Sequence, residues 1–211
     1  MTKKRIPDKA RTKILKVATK LFGDQGLEAT STRQIAAASG LNISLISYYF
    51  GGKTGLYKTI IYEHALKIKE NLDLILHHHG KEKFTAQVFK KETTMIVRHL
   101  VEMRLSDVSI AKIFMAERTQ NMPYAREVFE SLMKSTMDQL VGMIKQGQDQ
   151  GILKSDFPPG VFLVLMIESV LGYFMVQDCQ LKMWSQTYQL PKDKEKFIQL
   201  VSHIFTQGIL L

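Results

Sequence analysis

The sequence predicts an all-α protein with two domains, a three-helix helix-turn-helix domain at residues 1–55 and a helical bundle at residues 56–211. Apolar residues recur at helical spacing along most of the chain. No stretch shows sustained two-residue alternation between turn signals, which is the pattern of a strand. Helix start and stop signals are densest between residues 31 and 53, and the excess positive charge lies in the same part of the chain. These observations predict the fold class.

The first helix is predicted to follow a basic arm at residues 1–7. Asp8 favours a helix start, because a carboxylate stabilises the positive end of a helix. The helix is expected to run to about Asp24, since Gly23 and Gly26 bracket that point and glycine is common at helix ends.

Two short helices joined by a tight turn are predicted next. Ser31 and Gln34 have the spacing of a capping box, in which two side chains satisfy the free N–H groups at a helix start. Gly40 stands where the chain must turn with a positive φ. Asn42 is a preferred N-cap for a second helix beginning at Ile43. This is the helix-turn-helix arrangement, whose second helix enters the major groove of DNA.

The charge distribution supports a polyanionic partner for the N-terminal domain. The chain carries a net charge of +9, and residues 1–58 hold eleven basic and three acidic residues, a net of +8. A basic domain joined to a nearly neutral one is typical of nucleic-acid binding. A solvated lysine-rich terminus explains charge alone equally well, and the coincidence with the helix-turn-helix pattern favours DNA.

The same stretch resembles the N-terminal domain of TetR-family transcriptional regulators over about residues 8–60, and it is similar to the CecR-like branch. The matching residues stand at fixed spacing: Thr32-Arg33-x-Ile35-Ala36, Gly40-Leu41-Asn42, Ile46, Tyr48-Tyr49-Phe50-Gly51, Lys53 and Leu56-Tyr57. The resemblance implies a homodimeric transcriptional regulator, most often a repressor, with a ligand pocket in its C-terminal bundle.

The resemblance also implies which residues contact a double-stranded operator. Hydroxyl groups can bond base edges and phosphates, and an Ile side chain can contact a thymine methyl. A lysine at the start of the fourth helix adds its charge to the positive helix end, where phosphates bind. The predicted DNA contacts are Thr32, Arg33, Ile43, Ser44, Ser47, Tyr48, Tyr49 and Lys53. Only Arg33 among them is a strong bidentate base reader, so no operator sequence follows.

The remaining chain is predicted to be helical, with its least regular internal segment at 178–190, around Trp184. Further helices are expected at about 53–76, 82–105, 107–118, 123–149, 159–177 and 192–208. Apart from Met1, all methionines lie between Met95 and Met183. Because methionine adapts to varied apolar shapes, it suits a pocket for a small apolar or amphipathic effector, although plain core explains any single residue better. The candidate pocket residues are Met95, His99, Met103, Phe114, Met115, Met133, Met137, Phe162, Met166, Glu168 and Tyr173.

The helices at 159–177 and 192–208 are apolar over more than one face, which predicts a seam between two copies of the chain. Glu168 interrupts the most apolar segment, where a buried unpaired carboxylate is costly. It is therefore expected on an exposed face, in the pocket or at the dimer seam. The apolar segment is shorter than the ~20 residues of a membrane span, so no membrane partner is expected.

Three other patterns point away from an enzyme, a metal site or a cofactor. Gly52-Lys53-Thr54 lacks the earlier glycine and the strand of a phosphate-binding loop. The side chains of His77-His78-His79 diverge by roughly 100° per residue along a helix, so they cannot share one ion. Cys179 is the sole cysteine and fits a reducing cytoplasm. The alternatives to an effector-controlled DNA regulator are a helix-turn-helix protein-interaction module and a regulator without a ligand.

Overall fold

The computed structural model of the protein describes residues 9–79, 84–179 and 188–210. They form helices α1 (Lys9–Ala29), α2 (Thr32–Ser39), α3 (Ser44–Phe50), α4 (Lys53–His79), α5 (Ala86–Ser106), α6 (Val108–Thr119), α7 (Arg126–Asp149), α8 (Pro159–Asp178) and α9 (Lys194–Gln207). No strand occurs in these three ranges, and one isolated antiparallel bridge joins Leu153 to Leu210. The all-α fold class is confirmed. The predicted basic arm at 1–7 and most of the segment around Trp184 lie outside the described residues.

Helix α1 is longer than the sequence predicts. Its range extends past Asp24 to Ala29, but the backbone is kinked at Gly26, where φ is 82° and ψ is 169°, so two helical segments meet there. Gly23 is inside the helix and serves close packing instead of ending it. A Cβ on Gly23 would lie 2.7 Å from both the Cα and the carbonyl oxygen of Ser109 in α6. The helical backbone therefore breaks at Gly26, two residues after the predicted end near Asp24. Of the two glycines that bracket this end, Gly26 marks the break and Gly23 serves helix packing.

The chain divides into two compact units. The first holds the described residues up to Lys67 together with Asp107–Met133, and the second holds Ile68–Ser106 together with the residues from Lys134 onward. Helices α4 and α7 each contribute residues to both units. The predicted functional boundary between residues 55 and 56 stays a prediction, since compactness groups α6 with the N-terminal helices.

The core of the first unit is built from one apolar face of each of its helices. Successive buried residues of α1 are four positions apart, as expected for one side of a helix. The short helices α2 and α3 each bury one or two large side chains against them. The buried residues are Ile14, Ala18, Phe22, Ile35, Ile46, Phe50, Leu56, Tyr57, Ile60, Ile61, Ile110, Ile113 and Ala125.

In the second unit, α8 and α9 both pack on α5. Ring centroids of Tyr173 and Phe197 are 4.5 Å apart, and those of Phe162 and Phe205 are 5.6 Å apart. These two contacts show that α8 and α9 run antiparallel. Because both helices lie on α5, their opposite faces point away from the core of this unit.

Candidate nucleic-acid interface

Helix α2 begins and ends as its sequence predicts. The Ser31 side chain accepts a hydrogen bond from the Gln34 N–H at 3.2 Å, and the Gln34 side chain accepts one from the Ser31 N–H at 2.7 Å. The capping box is confirmed. Gly40 has φ 64°, and its N–H donates to the carbonyl of Ala37. Glycine takes this left-handed conformation without a steric penalty, so the chain turns there toward α3.

Helix α3 begins one residue later than predicted, and its N-cap is Ile43 instead of the predicted Asn42. Ile43 already has helical backbone angles, and the first residue of α3 is Ser44. The Asn42 Oδ1 accepts hydrogen bonds from the N–H and the hydroxyl of Ser44, both at 2.9 Å. The Asn42 side chain thus closes the turn, because it binds the N–H of the first residue of α3.

One face of α3 is buried and the other is open to solvent. Ile46 and Phe50 are 1% and 8% exposed, whereas Ile43 and Tyr48 are 42% and 79% exposed. The side chains of Ser44 and Ser47 are also exposed. Helix α3 is thus anchored by Ile46 and Phe50 and presents Ser44, Ser47 and Tyr48 outward, as a recognition helix requires.

The two tyrosines predicted to contact DNA differ in their surroundings. Tyr48 is almost fully exposed, while Tyr49 is half-buried and packs on the core of the first unit. Their ring centroids are 4.9 Å apart in an edge-to-face arrangement, and Tyr49 also meets Phe50 at 6.0 Å. Tyr49 therefore orients the Tyr48 ring. At the start of α2, Arg33 is exposed and Thr32 is half-buried.

Lys53 makes contacts that the sequence did not indicate. Its Nζ donates to the carbonyl oxygens of Leu27 and Glu28, at 2.8 and 3.4 Å. These carbonyls lie at the C-terminal end of α1, where cations are stabilising. Lys53 thus ties the start of α4 to the end of α1. Its predicted contact with a phosphate stays a prediction.

A buried carboxylate in the same unit was missed by the sequence analysis. Glu117 of α6 is 3% exposed, and its Oε2 accepts hydrogen bonds from the N–H groups of Tyr124 and Ala125, at 3.0 and 2.9 Å. The connection it closes holds two residues with positive φ, Asn121 (66°) and Met122 (57°). Such angles are unfavourable for non-glycine residues and require support from their surroundings.

Tyr57 joins Glu117 to the rest of the first unit. Its ring meets Phe22 at 5.2 Å and Tyr124 at 5.6 Å, both edge to face. Burial, and then the charge and hydrogen bond of Glu117, hold the pKa of the Tyr57 hydroxyl far above its usual range. The phenol therefore stays protonated and donates to the carboxylate. One signal in the sequence could have identified this carboxylate: Glu117 continues the buried stripe of α6 that includes Ile113.

The candidate pocket residues divide between the two units. Phe114, Met115 and Met133 belong to the first unit, where the Phe114 ring packs on His64 and Phe129. The second unit holds Met95, His99, Met103, Met137, Phe162, Met166, Glu168 and Tyr173.

Within the second unit, two of these residues have distinctive polar surroundings. The His99 Nε2 is buried without a hydrogen-bond partner among the described residues. Burial lowers the pKa of His99, against a smaller opposing effect of Glu102. The Tyr173 hydroxyl donates to the carbonyl of Tyr188 at 2.9 Å.

The outward faces of α8 and α9 expose large apolar side chains. Val161, Val164, Leu165 and Met175 of α8 and Leu200 and Ile204 of α9 are between 45% and 58% exposed. Glu168 is half-buried and has the helical spacing of this α8 face. The expectation that this apolar segment is too short for a membrane span is wrong for the helix as a whole, because α8 has 20 residues and is long and apolar enough by length and composition. The core helix of a soluble protein meets the same criterion.

The described residues contain no cluster of three or more His, Cys, Asp or Glu side chains that could hold a metal ion. Cys179 is a free, exposed thiol. Of the three consecutive histidines, only the side chain of His77 lies within the described part, where it is exposed.

Comparisons with known proteins agree with this geometry. Residues 14–60 match the family model of the bacterial regulatory proteins, tetR family. The probable HTH-type transcriptional regulator YttP of Bacillus subtilis is 23% identical over 140 residues, which cover 66% of this chain and 65% of that protein. The HTH-type transcriptional dual regulator CecR of Shigella flexneri is 46% identical over 50 residues, which cover 24% of this chain and 22% of that protein. The chain thus spans less than two thirds of either curated relative.

The fold is shared over nearly the whole chain with a solved structure. The transcriptional regulator FadR of Bacillus subtilis, in complex with stearoyl-CoA, superposes with a TM-score of 0.70 over 93% of this chain and 98% of that one. The two sequences are 17% identical. At this identity the likeness establishes the fold.

Proposed function

Because the chain carries the N-terminal domain of the tetR family of bacterial regulatory proteins, we propose that it is a sequence-specific DNA-binding transcriptional regulator. It acts in the cytoplasm as a homodimeric repressor of a near-palindromic operator and catalyses no reaction. The observation that carries the proposal is the exposed face of α3, held by Ile46 and Phe50 and aimed by the turn from Gly40 to Asn42. We assign residues 1–55 to DNA binding and residues 56–211 to effector binding and dimerisation.

In the DNA complex, α3 lies in the major groove. Tyr48, whose ring is supported by Tyr49, presents its hydroxyl to a base edge or phosphate, and Ser44 and Ser47 do the same from the exposed face. Ile43 reaches a thymine methyl. Arg33, exposed in the first turn of α2, supplies the bidentate donor that suits guanine. Thr32 and Lys53 contact phosphates of the DNA backbone beside these bases.

Dimerisation uses the exposed apolar faces of α8 and α9. A single short recognition helix contacts few base pairs, and two-fold symmetry doubles the contacts on a palindromic site. Leu165 and Ile204 are 57% and 58% exposed in the single chain. Replacing both by Glu should convert the dimer to a monomer in sedimentation equilibrium. Val108→Glu, at a 50% exposed site in α6, is the matched control and should leave the dimer intact.

The effector is a small apolar or amphipathic molecule bound by the C-terminal helices. Its support is the adaptable methionine-rich composition of that region and the unpartnered His99 Nε2, which can bond one polar group of such a ligand. The effector binds more tightly to the conformation whose two recognition helices are wrongly spaced for successive major grooves, and this difference in affinity releases the operator. Stearoyl-CoA is the first probe to test, since it binds a protein of the same fold.

The deciding experiment is selection of bound duplexes from a random DNA pool by the purified protein, with Tyr48→Ala beside it. We expect a near-palindromic consensus that the wild type enriches and the variant loses. Tyr62→Ala is the matched control, because Tyr62 is 48% exposed on α4 of the same unit, and this variant should enrich the same consensus. Enrichment of no sequence by the wild type would refute the proposal and favour a protein-interaction module.

A further inference from the structure

Helix α1 carries a stripe of four exposed lysines, Lys9, Lys13, Lys16 and Lys20, here called the lysine stripe. They follow one another at intervals of four, three and four residues, so they lie on one narrow face of the helix. At 1.5 Å per residue the stripe is about 16 Å long. It lies opposite the buried face of α1 that holds Ile14, Ala18 and Phe22.

The lysine stripe is not neutralised within the described part of the chain. No carboxylate there lies within the 4.0 Å of an ion pair from any of its four ammonium groups. Other cations of the same unit do have partners. Arg11, on the other side of α1, pairs with Glu63 at 2.6 Å, and Lys112 pairs with Asp24 at 3.3 Å. The stripe therefore holds four of the positive charges that make the first unit basic.

The proposed recognition surface holds little free positive charge by comparison. Its candidate contacts are mostly hydroxyl groups, and its two cations are Arg33 and Lys53. The Lys53 ammonium is already hydrogen-bonded to the carbonyls of Leu27 and Glu28. Neutralisation of phosphates by lysine and arginine supplies a large share of protein–DNA affinity. Most of the affinity that comes from neutralising phosphates must therefore come from lysines and arginines outside the predicted DNA contacts.

The lysine stripe borders the helix-turn-helix itself. The Lys13 Nζ lies 4.0 Å from the position that a Cβ on Gly40 would occupy. Gly40 is the turn residue between α2 and α3, two residues before Asn42. The ammonium groups on either side of Lys13 extend from this turn along α1, so the positive surface continues beyond the recognition helix.

We propose that the lysine stripe binds phosphates of the DNA that flanks each operator half-site. This inference rests on the proposed DNA-binding function and adds a contact surface to it. A row of cations about 16 Å long matches about five base pairs along the duplex axis, where each strand carries one phosphate per 3.4 Å. The stripe contacts the backbone alone, so it increases affinity and positions the protein without reading bases.

The proposal predicts a specific salt dependence. Log affinity falls with log salt concentration, and each phosphate contact that is lost makes this negative slope less steep by about 0.9. Replacing all four lysines of the stripe by Gln removes between one and four contacts per protomer. For a dimer the slope should therefore become less steep by about 2 to 7. The preferred sequence should not change, since no base contact is removed.

The experiment compares two operator duplexes, one trimmed to the half-sites and one extended by about six base pairs at each end, across a salt series. The wild type should bind the extended duplex more tightly and with the steeper slope. The four-lysine variant should lose this preference and, at near-physiological salt, bind the extended duplex at least about tenfold more weakly than the wild type. A control variant with Lys90, Lys134, Lys145 and Lys192 of the second unit replaced by Gln has the same net charge and should behave like the wild type.

Three results would overturn the proposal: an unchanged slope, an equal change in the charge-matched control, or a wild type that gains nothing from the flanks. Any of them would assign the lysine stripe to solvent or to another anionic partner. If the wild type itself selects no DNA sequence, the proposed function has failed first, and that outcome is distinct. Circular dichroism melting confirms that both variants are folded, and exposed Lys→Gln changes should leave the melting temperature unchanged.

Discussion

Glu117→Ala should be the most destabilising single change to a polar side chain in the first unit. It removes the acceptor of two N–H groups at the start of α7, those of Tyr124 and Ala125. Ala125 is fully buried, so its N–H finds no water in place of the carboxylate. An unsatisfied buried donor costs about 1–3 kcal/mol, and the Tyr57 hydroxyl loses its acceptor as well. We expect a loss of about 3–5 kcal/mol, which lowers the melting temperature of a chain this long by about 6–20 °C.

The assay is differential scanning calorimetry of two further variants beside Glu117→Ala. Glu117→Gln keeps one carbonyl oxygen as the acceptor for the two N–H groups but loses the charge and replaces the other oxygen by an NH2 donor, so it should cost about 1–2 kcal/mol. Glu130→Ala, at an exposed carboxylate of α7, should stay within about 0.5 kcal/mol of the wild type. If Ala and Gln at position 117 destabilise equally, the backbone hydrogen bonds do not support this connection and the reasoning is wrong.

Three further predictions concern other positions and are measured by thermal unfolding. Gly23→Ala forces α1 and α6 apart at Ser109 and should cost about 1–3 kcal/mol, whereas Gly142→Ala, with no atom within 4 Å of the new Cβ, should be neutral or slightly stabilising. Burial lowers the pKa of His99, so folding favours the neutral imidazole. The free energy of unfolding should therefore fall as the pH is lowered through the unfolded pKa of about 6.5 toward the lower folded pKa. His99→Gln should remove that part of the pH dependence. Ser31→Ala breaks the capping box and should cost about 1 kcal/mol. A loss no larger than that of a Ser→Ala change at a surface serine that caps no helix would contradict this.

Local signals explain why the helix-turn-helix could be predicted closely. The capping box of Ser31 and Gln34, the turn at Gly40 and the hydrogen bond from Ser44 to Asn42 each depend on residues no more than three or four positions apart. Such interactions are present wherever the local pattern occurs, so the sequence predicts them directly. The role of Gly23 in α1 has the opposite origin. Glycine is common at helix ends, but Gly23 lies inside α1 and is required there by the close approach of Ser109, which is far away in the chain.

Periodicity could not show which faces of the C-terminal helices are outside. Helix α8 is apolar on nearly all sides, and a helix of that kind carries no pattern that separates core from surface. Packing on α5 decides the matter by burying Phe162 and Met166 and leaving Val164 and Leu165 exposed. The candidate pocket set was drawn from composition for the same reason, and the structure assigns Met115, among others, to the first unit.

By itself the sequence determined the helical fold class, the helix-turn-helix and the concentration of charge near the N-terminus, because these depend on local spacing and on counts. Tertiary structure alone decided that Lys53 is held by Leu27, and that Glu117 closes the start of α7 beside Tyr57. These contacts join residues far apart in the chain. Their free energy arises only when folding buries polar groups together, and neither composition nor periodicity records which groups will meet.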